Sequence, residues 1–310
     1  MMIGEQPKDV AIKVMKGERD EAKYKQFIAE VKMVDYVRHK HLCRLIGYCM
    51  EMNRCILVYP FIPGGSLYDR LQHADRSLRH HAVPHQQAIA RLDSNGIRGE
   101  PLTWMERTSI AHQVGKGLCY IHHDLEKPLL HRDIKSKNVM IEGSGNSLHA
   151  CFIDFGLARP GALCRQEGMT SSHMINGHTV FTIAGTPGYM APEYESGREV
   201  TAKNDVYAFG VVLLELVTGM RAITKTPEGK PFSLVFWAAQ WLSRPRIHLS
   251  NEQLAEMVDP WLIARDSSHE REWEWDKVYA LAMLGYCCTH LDPSHRPSME
   301  TVMDRIRAIL

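Results

Sequence analysis

The sequence predicts an α+β protein with two lobes, a small strand-rich lobe followed by a larger, mainly helical one. Over residues 1–62, short β-branched runs alternate with one amphipathic helix, whereas residues 63–310 show mostly helical periodicity. A length of 310 residues suits two lobes that share a cleft. The Pro63-Gly64-Gly65 turn separates them.

Three strands and one helix account for the first lobe. Residues 9–14, 42–49 and 54–59 are rich in β-branched and apolar side chains, and each predicts a strand. A helix is expected from about 21 to 38, because apolar residues recur there at i, i+4 and i+7. The members of this stripe are Phe27, Val31 and Val34.

The second lobe begins with an irregular insertion over residues 73–103. It contains four histidines at loose spacing with no nearby cysteine, so a solvated loop is favoured over a metal site. Helices are then expected around Gly115 and Gly117, where close packing would explain the glycines, and over 206–218. A final helix should begin after Ser298, a suitable N-cap.

Composition excludes several classes of protein. Lys and Arg total 37 against 36 for Asp and Glu, so no bulk charge favours nucleic acid. The eight cysteines form no CxxC pair, which indicates a reduced, intracellular protein. The longest apolar stretch, 209–217, contains Glu215 and is far shorter than the roughly 20 residues of a membrane helix. The first 15 residues carry charges and lack the apolar region of a signal peptide.

Four motifs occur in order along the chain. They are VAIK at 10–13, HRDIKSKN at 131–138, DFG at 154–156 and APE at 191–193. Each motif alone is weak, but the four together at these spacings indicate a protein kinase catalytic domain.

Phosphoryl transfer requires mainly positioning and charge neutralisation, which these residue types supply. Asp154 and Asn138 offer the oxygen ligands that Mg²⁺ prefers. Asp133 is expected to accept or orient the substrate hydroxyl, and Lys135 to offset charge on the transferred phosphoryl group.

Lys13 is expected to hold the α- and β-phosphates, provided that a carboxylate fixes its position. Glu30 lies 17 residues further on, within the predicted helix. A solvated helix charge is the alternative interpretation of Glu30, and the ion pair with Lys13 is favoured over it.

From Val10 to Leu310 the chain resembles eukaryotic protein kinases, most closely the plant receptor-like kinases and the related interleukin-1-receptor-associated kinases. Besides the catalytic loop, which is the HRDIKSKN motif at 131–138, the segments that carry the resemblance are 41–49 (HLCRLIGYC), 56–59 (ILVY), 65–67 (GSL), 185–189 (GTPGY), 205–215 (DVYAFGVVLLE) and 292–297 (DPSHRP). The resemblance implies a small lobe over 1–62 and a large lobe over 63–310.

The resemblance also implies an adenine site. Tyr59 would be the gatekeeper, and the hinge from Pro60 to Ile62 would bind the adenine edge. The family usually has an acidic residue where this chain has Pro60, and proline still offers its carbonyl oxygen. Ala11 and Met140 would enclose the base.

Further implied roles are structural. Val34, Leu45, Phe155 and His131 would form an internal hydrophobic spine. Asp205 would hold the catalytic loop, and Glu193 and Arg296 would form a buried ion pair.

Lys135 and Thr186 resemble the pattern of serine/threonine kinases. Arg132 suggests regulation by phosphorylation, since an arginine there can bind phosphate. The implied activation segment spans residues 154–193, which include Thr186. Within it, Thr179 and Thr182 match the family's phosphosites, although ordinary loop hydroxyls remain the alternative.

One departure from the family concerns the glycine-rich loop. Only 12 residues precede Lys13, with Gly4 the single glycine among them, so a truncated small lobe and weak or absent activity are expected. A serine/threonine kinase and a pseudokinase acting as a binding module are therefore both considered. A small-molecule phosphotransferase is disfavoured by the 185–193 segment.

The implied cofactors are ATP and Mg²⁺, with Mn²⁺ as an alternative ion. The implied partners are protein substrates and a membrane receptor complex, without nucleic acid. The expected location is the cytoplasm, including the inner face of the plasma membrane.

Overall fold

The computed structural model describes residues 9–15, 21–51, 54–71, 101–161, 172–175, 178–181, 184–197, 200–226, 229–266 and 274–310. Over these residues the chain has the fold of a two-lobed α+β protein, as the sequence predicts. Most of the 73–103 insertion and residues 1–8 lie outside the described ranges, so the predicted truncation stays a prediction.

The small lobe is an antiparallel sheet packed against one helix. Its strands are β1 (Val10–Met15), β2 (Gly47–Glu51) and β3 (Arg54–Pro60), in the order β1-β3-β2. Helix α1 spans Glu21–Tyr36 and contributes Phe27 to a small core. Alternate β1 side chains are exposed, which directs the others towards α1 and the cleft.

Strand and helix boundaries in the small lobe differ from the prediction, most of all at the start of β2. Helix α1 ends at Tyr36 rather than 38, and β2 starts at Gly47 rather than 42. The segment before β2 bonds to the large lobe instead: Cys43 N donates to Phe152 O at 2.6 Å, and Phe152 N donates to His41 O at 2.9 Å. These bonds tie the two lobes together at residues 41–43, and the chain joins the sheet only from Ile46, whose N donates to Val58 O at 2.8 Å.

The large lobe is built from helices and short strand pairs. Its described helices are α2 (Leu67–Leu71), α3 (Trp104–Cys119), α4 (Pro192–Glu195), α5 (Ala202–Thr218), α6 (Leu234–Leu242), α7 (Asn251–Met257), α8 (Pro260–Asp266), α9 (Trp275–Cys288) and α10 (Met299–Ile309). Its strands pair as β4 (Leu129–Leu130) with β7 (Arg159–Pro160), β5 (Val139–Glu142) with β6 (His149–Phe152), β8 (Ser172–Ile175) with β9 (His178–Phe181), and β10 (Ile223–Lys225) with β11 (Pro231–Ser233).

Helix α5 is the centre of the large-lobe core. From Asn204 to its end at Thr218, every residue of α5 is buried. Thr201 and Asn204 form a capping box at its start, and Gly219, with φ 62°, ends it in the left-handed conformation. No helix in the described ranges is long and apolar enough to cross a bilayer.

The other predicted helices are confirmed. Ser298 caps α10 by accepting a hydrogen bond from Thr301 N at 3.3 Å. The two glycines of α3 lie at close contacts: a methyl group on Gly115 would lie 2.5 Å from Met303 Sδ, and one on Gly117 would lie 2.9 Å from Leu42 Cδ2.

Gly210→Ala should destabilise the large lobe by roughly 1–3 kcal/mol, because α5 and α9 leave no room for a methyl group. An added Cβ at Gly210 would lie 2.6 Å from Cys288 Cβ and 2.8 Å from Gly285 O. Denaturant unfolding measures the change. Gly47→Ala is the matched control, since no atom lies within 4 Å of its added Cβ. Equal stability of both variants would contradict the packing argument.

Candidate active site

The small-lobe side of the cleft is centred on Lys13. Its ammonium group lies 2.8 Å from Glu30 Oε1 on α1 and 3.0 Å from Asp154 Oδ1 in the large lobe. The Glu30 side chain is 1% exposed, whereas Lys13 retains 38% exposure. Lys13 therefore links the two lobes and still reaches solvent in the cleft.

Lys13, Glu30 and Asp154 shift one another's pKa values. Burial raises the pKa of Glu30 to about 7, against the opposing effect of Lys13. Burial would lower the pKa of Lys13, but Asp154 and Glu30 outweigh it and raise that pKa. Burial would raise the pKa of Asp154, but Lys13 outweighs it and lowers that pKa. Asp154 is thus the charged partner of Lys13 across the pH range of cells.

On the large-lobe side of the cleft, Asp133 accepts hydrogen bonds from three side chains. Its Oδ2 accepts from Lys135 Nζ at 2.6 Å and from Asn138 Nδ2 at 3.1 Å. Its Oδ1 accepts from the Thr186 hydroxyl at 2.7 Å, and Lys135 Nζ also donates to that hydroxyl at 2.8 Å. The carboxylate therefore already holds a threonine hydroxyl and an ammonium group together.

The oxygen donors needed for a hard divalent cation are present in this cleft. Asn138 uses Nδ2 in both of its bonds to Asp133, so these bonds do not engage its amide oxygen. Asp154 is ionised and bonds to Lys13 through Oδ1. An amide oxygen and a carboxylate are ligand types that Mg²⁺ takes, so the two residues fit such an ion.

Asp205, at the start of α5, holds the catalytic-loop backbone. Its carboxylate accepts from His131 N and Arg132 N, each at 2.8 Å, and from His122 Nε2 at 2.9 Å. Arg132 has φ 69°, a conformation that a non-glycine residue adopts only when its surroundings enforce it. The two bonds from adjacent N–H groups stabilise this turn just before Asp133.

The residues expected to bind adenine lie on both sides of the cleft. Ala11 shares the inward face of β1 with Lys13 and stands opposite Tyr59 in β3. Pro60 ends β3, and Ile62 follows in the connection between the lobes. Met140 lies on β5 and pairs with Ser66.

Part of the expected spine is visible. The His131 and Phe155 rings lie 4.8 Å apart, and His131 is fully buried. Leu45 packs in the small-lobe core with Phe27 and Leu57. The side chain of Val34 lies outside the described residues.

The activation segment is described only in part. Thr182 and the side chain of Thr179 lie outside the described residues. Arg132, expected to bind a phosphate, donates to the Tyr194 hydroxyl at 2.7 Å and to Leu157 O at 3.3 Å. Tyr194 donates in turn to Ala184 O at 2.8 Å, so Arg132 touches both ends of the segment.

Glu193 and Arg296 form a two-pronged buried ion pair. The guanidinium nitrogens Nη1 and Nη2 lie 2.6 and 2.7 Å from the two carboxylate oxygens. Asn204 Nδ2 adds a bond to Glu193 at 2.8 Å. This pair fastens the end of the activation segment to the segment before α10.

A buried polar cluster around Glu215 was missed by the sequence reasoning. Its Oε1 accepts from the Tyr189 hydroxyl at 2.8 Å and from the Ser136 hydroxyl at 3.2 Å. The two hydroxyls lie 2.9 Å apart, and Glu215 is 1% exposed. Its interruption of the apolar run 209–217 was the available signal, because a buried carboxylate needs partners.

The comparison with protein families agrees with this geometry. The family model described as "Protein tyrosine and serine/threonine kinase" matches residues 2–306. The chain belongs to the protein kinase family, and the fold and resemblance expected from the sequence are confirmed.

Similar proteins include plant receptor kinases. The chain is 33% identical to wall-associated receptor kinase-like 20 of Arabidopsis thaliana, over 92% of this chain and 37% of that protein. It is 35% identical to LysM domain receptor-like kinase 10 of Oryza sativa subsp. japonica, over 92% and 40%. It is 30% identical to probable serine/threonine-protein kinase PBL8 of Arabidopsis thaliana, over 100% and 63%. The chain thus spans less than two thirds of each of these relatives.

Glu215→Gln should flatten the pH dependence of stability. Burial raises the pKa of Glu215 to about 7 from an ordinary 4.5, despite hydrogen bonds from Tyr189 and Ser136. Between these two values the native state holds a proton that the unfolded chain has released, so stability falls as pH rises. Glutamine does not titrate. Between pH 4.5 and 7, the free energy of unfolding of the variant should therefore fall by on the order of 1–3 kcal/mol less than that of the wild type. Denaturant unfolding at both pH values measures this, and unchanged pH dependence would contradict it.

Proposed function

We propose that this chain is an ATP-dependent serine/threonine protein kinase. The observation that carries the proposal is the Asp133 cluster, in which a carboxylate, an ammonium group and a threonine hydroxyl meet within 2.8 Å of one another. Such an arrangement suits transfer of a phosphoryl group to a hydroxyl oxygen, where positioning and charge neutralisation dominate.

In the proposed reaction, Asp133 orients the acceptor hydroxyl and takes its proton. A bond forms between the acceptor oxygen and the γ-phosphorus, and the bond between that phosphorus and the β,γ-bridging oxygen breaks to leave ADP. The contact of Thr186 with Asp133 Oδ1 supports the assignment, because this atom can accept from a threonine-type hydroxyl. Lys135 is well placed to offset charge on the group in transit.

Lys13 is proposed to hold the α- and β-phosphates, with Glu30 as its positioning residue. Glu30 is nearly fully buried on α1, so its carboxylate has little freedom and restricts the exposed end of Lys13. The contact with Asp154 keeps the same ammonium group close to the large lobe.

Asn138 and Asp154 are proposed to hold Mg²⁺, with Mn²⁺ as an alternative. When bound, the ion neutralises phosphate charge and orients the transferring group. Ala11, Tyr59, Pro60, Ile62 and Met140 are the residues proposed to bind adenine.

The segment around Thr186 favours protein substrates over small molecules. This turn is fixed at one end by Asp133 and at the other by the Glu193–Arg296 pair, so it forms a stable surface beside the acceptor site. The relatives named as receptor kinases support action near a membrane receptor complex, at the cytoplasmic face. Thr179 and Thr182 remain proposed phosphosites.

Asp133→Asn should lower phosphoryl transfer by about 10²–10⁴-fold, because asparagine cannot accept the proton. Transfer of ³²P from ATP to a protein substrate measures the rate, and thermal shift with Mg-ATP checks that nucleotide still binds. Asp304→Asn on α10 is the control, since it makes the same change at an exposed side chain. Wild-type binding of Mg-ATP without transfer would instead favour a non-catalytic binding module. Equal transfer by wild type and Asp133→Asn would contradict the assigned role.

Glu30→Gln should reduce kcat/KM for ATP by about 10²-fold, because Lys13 loses the buried carboxylate that positions it. A steady-state titration of ATP measures the ratio. Glu21→Gln is the matched control at the exposed start of the same helix, where Glu21 pairs with Lys25 at 2.8 Å. Loss of activity in the control but not in Glu30→Gln would reverse the assignment.

A further inference from the structure

A tyrosine beside the catalytic loop is contacted by two cations. Lys137 Nζ lies 4.6 Å from the centre of the Tyr68 ring, and the Arg221 guanidinium carbon lies 5.4 Å from it. Both distances are within the range of a cation–π interaction. Lys137 and Arg221 are exposed, whereas Tyr68 is half-buried. We refer to Tyr68, Lys137 and Arg221 as the Tyr68 basic patch.

One end of the Tyr68 basic patch belongs to the catalytic loop itself. Lys137 lies in the short 3₁₀ turn Ser136–Asn138, next to Asn138, which bonds to Asp133 Oδ2 at 3.1 Å. Helix α2, which carries Tyr68, packs against this turn. Lys137 is therefore held close to the site where the acceptor hydroxyl is proposed to bind.

The other end of the patch reaches the acceptor site through the 185–189 turn. Arg221 precedes Ala222 and Ile223, and a methyl group on Gly188 would lie 2.6 Å from Ile223 Cγ1 and 3.3 Å from Ala222 Cβ. Two residues earlier, Thr186 bonds to Asp133. One cation thus belongs to the turn that carries Asn138, and the other lies in the segment that packs against the 185–189 turn.

Within the described residues, the positive charge of Lys137 is not neutralised by a neighbouring carboxylate. Among the described residues, no carboxylate forms an ion pair with Lys137. The nearby Asp69 accepts from Ser66 N and from the Ser66 hydroxyl, and Asp133 is paired with Lys135. Over the part of the chain that the structure describes, the Lys137 ammonium group therefore remains without a carboxylate partner, in a chain whose net charge is only +1.

We propose that the Tyr68 basic patch selects protein substrates with acidic side chains close to the phosphorylated serine or threonine. This inference rests on the proposed kinase function and names its substrate class. Arg and Lys bind carboxylates by charge-assisted hydrogen bonds, and the ring of Tyr68 positions both cations before a substrate arrives. A membrane surface is a poorer match, because two cations are fewer than the four to eight typical of lipid-binding clusters.

The test compares three peptides with one threonine each, which carry two glutamates, two alanines or two lysines beside it. The wild-type chain should phosphorylate the acidic peptide with a kcat/KM about three- to tenfold above the alanine peptide at low salt. The advantage should shrink at 0.5 M NaCl, because the pairs are exposed. The double variant Lys137→Glu/Arg221→Glu should lose the preference and favour the lysine peptide. Lys116→Glu, at an exposed position on α3, should keep the wild-type preference.

Peptide binding by fluorescence anisotropy separates this inference from the kinase function. If no peptide is phosphorylated, the proposed function fails, but stronger binding of the acidic peptide by wild type than by the double variant still supports the patch. Equal binding and equal rates for the three peptides would overturn the inference. So would an unchanged acidic preference in the double variant, once its melting temperature shows that it folds.

Discussion

The arrangement of the catalytic loop depends on the hydrogen bonds that the buried carboxylate of Asp205 accepts. A charge at 1% exposure is costly unless donors surround it, and here two adjacent backbone N–H groups and an imidazole supply them. The two N–H groups belong to the turn where Arg132 has φ 69°. The energy of these bonds offsets the backbone strain, and the turn in turn sets where Asp133 emerges into the cleft.

Three buried carboxylates differ in how far their partners offset the effect of burial on the pKa. Burial alone would raise the pKa of each one. For Asp205, hydrogen bonds from His122 and the loop outweigh burial and lower the pKa. Glu30 and Glu215 each leave Oε2 without a hydrogen-bond partner, and burial dominates there, so their pKa values rise to about 7. The scaffold residue is therefore fixed as an anion, whereas the two glutamates respond to pH near neutrality.

The sequence predicted the elements better than their connections. The spacing of apolar residues and the caps were sufficient for α10 and its start at Ser298, because both signals are local. The motif spacing was sufficient to bring Lys13, Glu30 and Asp154 into one group of candidates. It did not predict that 42–45 lies outside the sheet, because this depends on hydrogen bonds of His41 and Cys43 to Phe152, more than a hundred residues away. The Glu215 cluster was missed for the same reason, as Ser136 and Tyr189 are distant in sequence.

The two sides of the cleft are connected by residues that are distant in sequence. Asp154, with φ 70°, lies two residues after Phe152, which bonds to His41 and Cys43 between α1 and β2 of the small lobe. A movement of the small lobe relative to the large lobe would therefore change both the hydrogen bonds of Phe152 and the 3.0 Å distance between Lys13 Nζ and Asp154 Oδ1. Because Glu30 carries the other contact to Lys13 from α1, the position of that helix decides whether one ammonium group can reach both carboxylates. Helix α1 thus sets the geometry of the Lys13 side of the cleft.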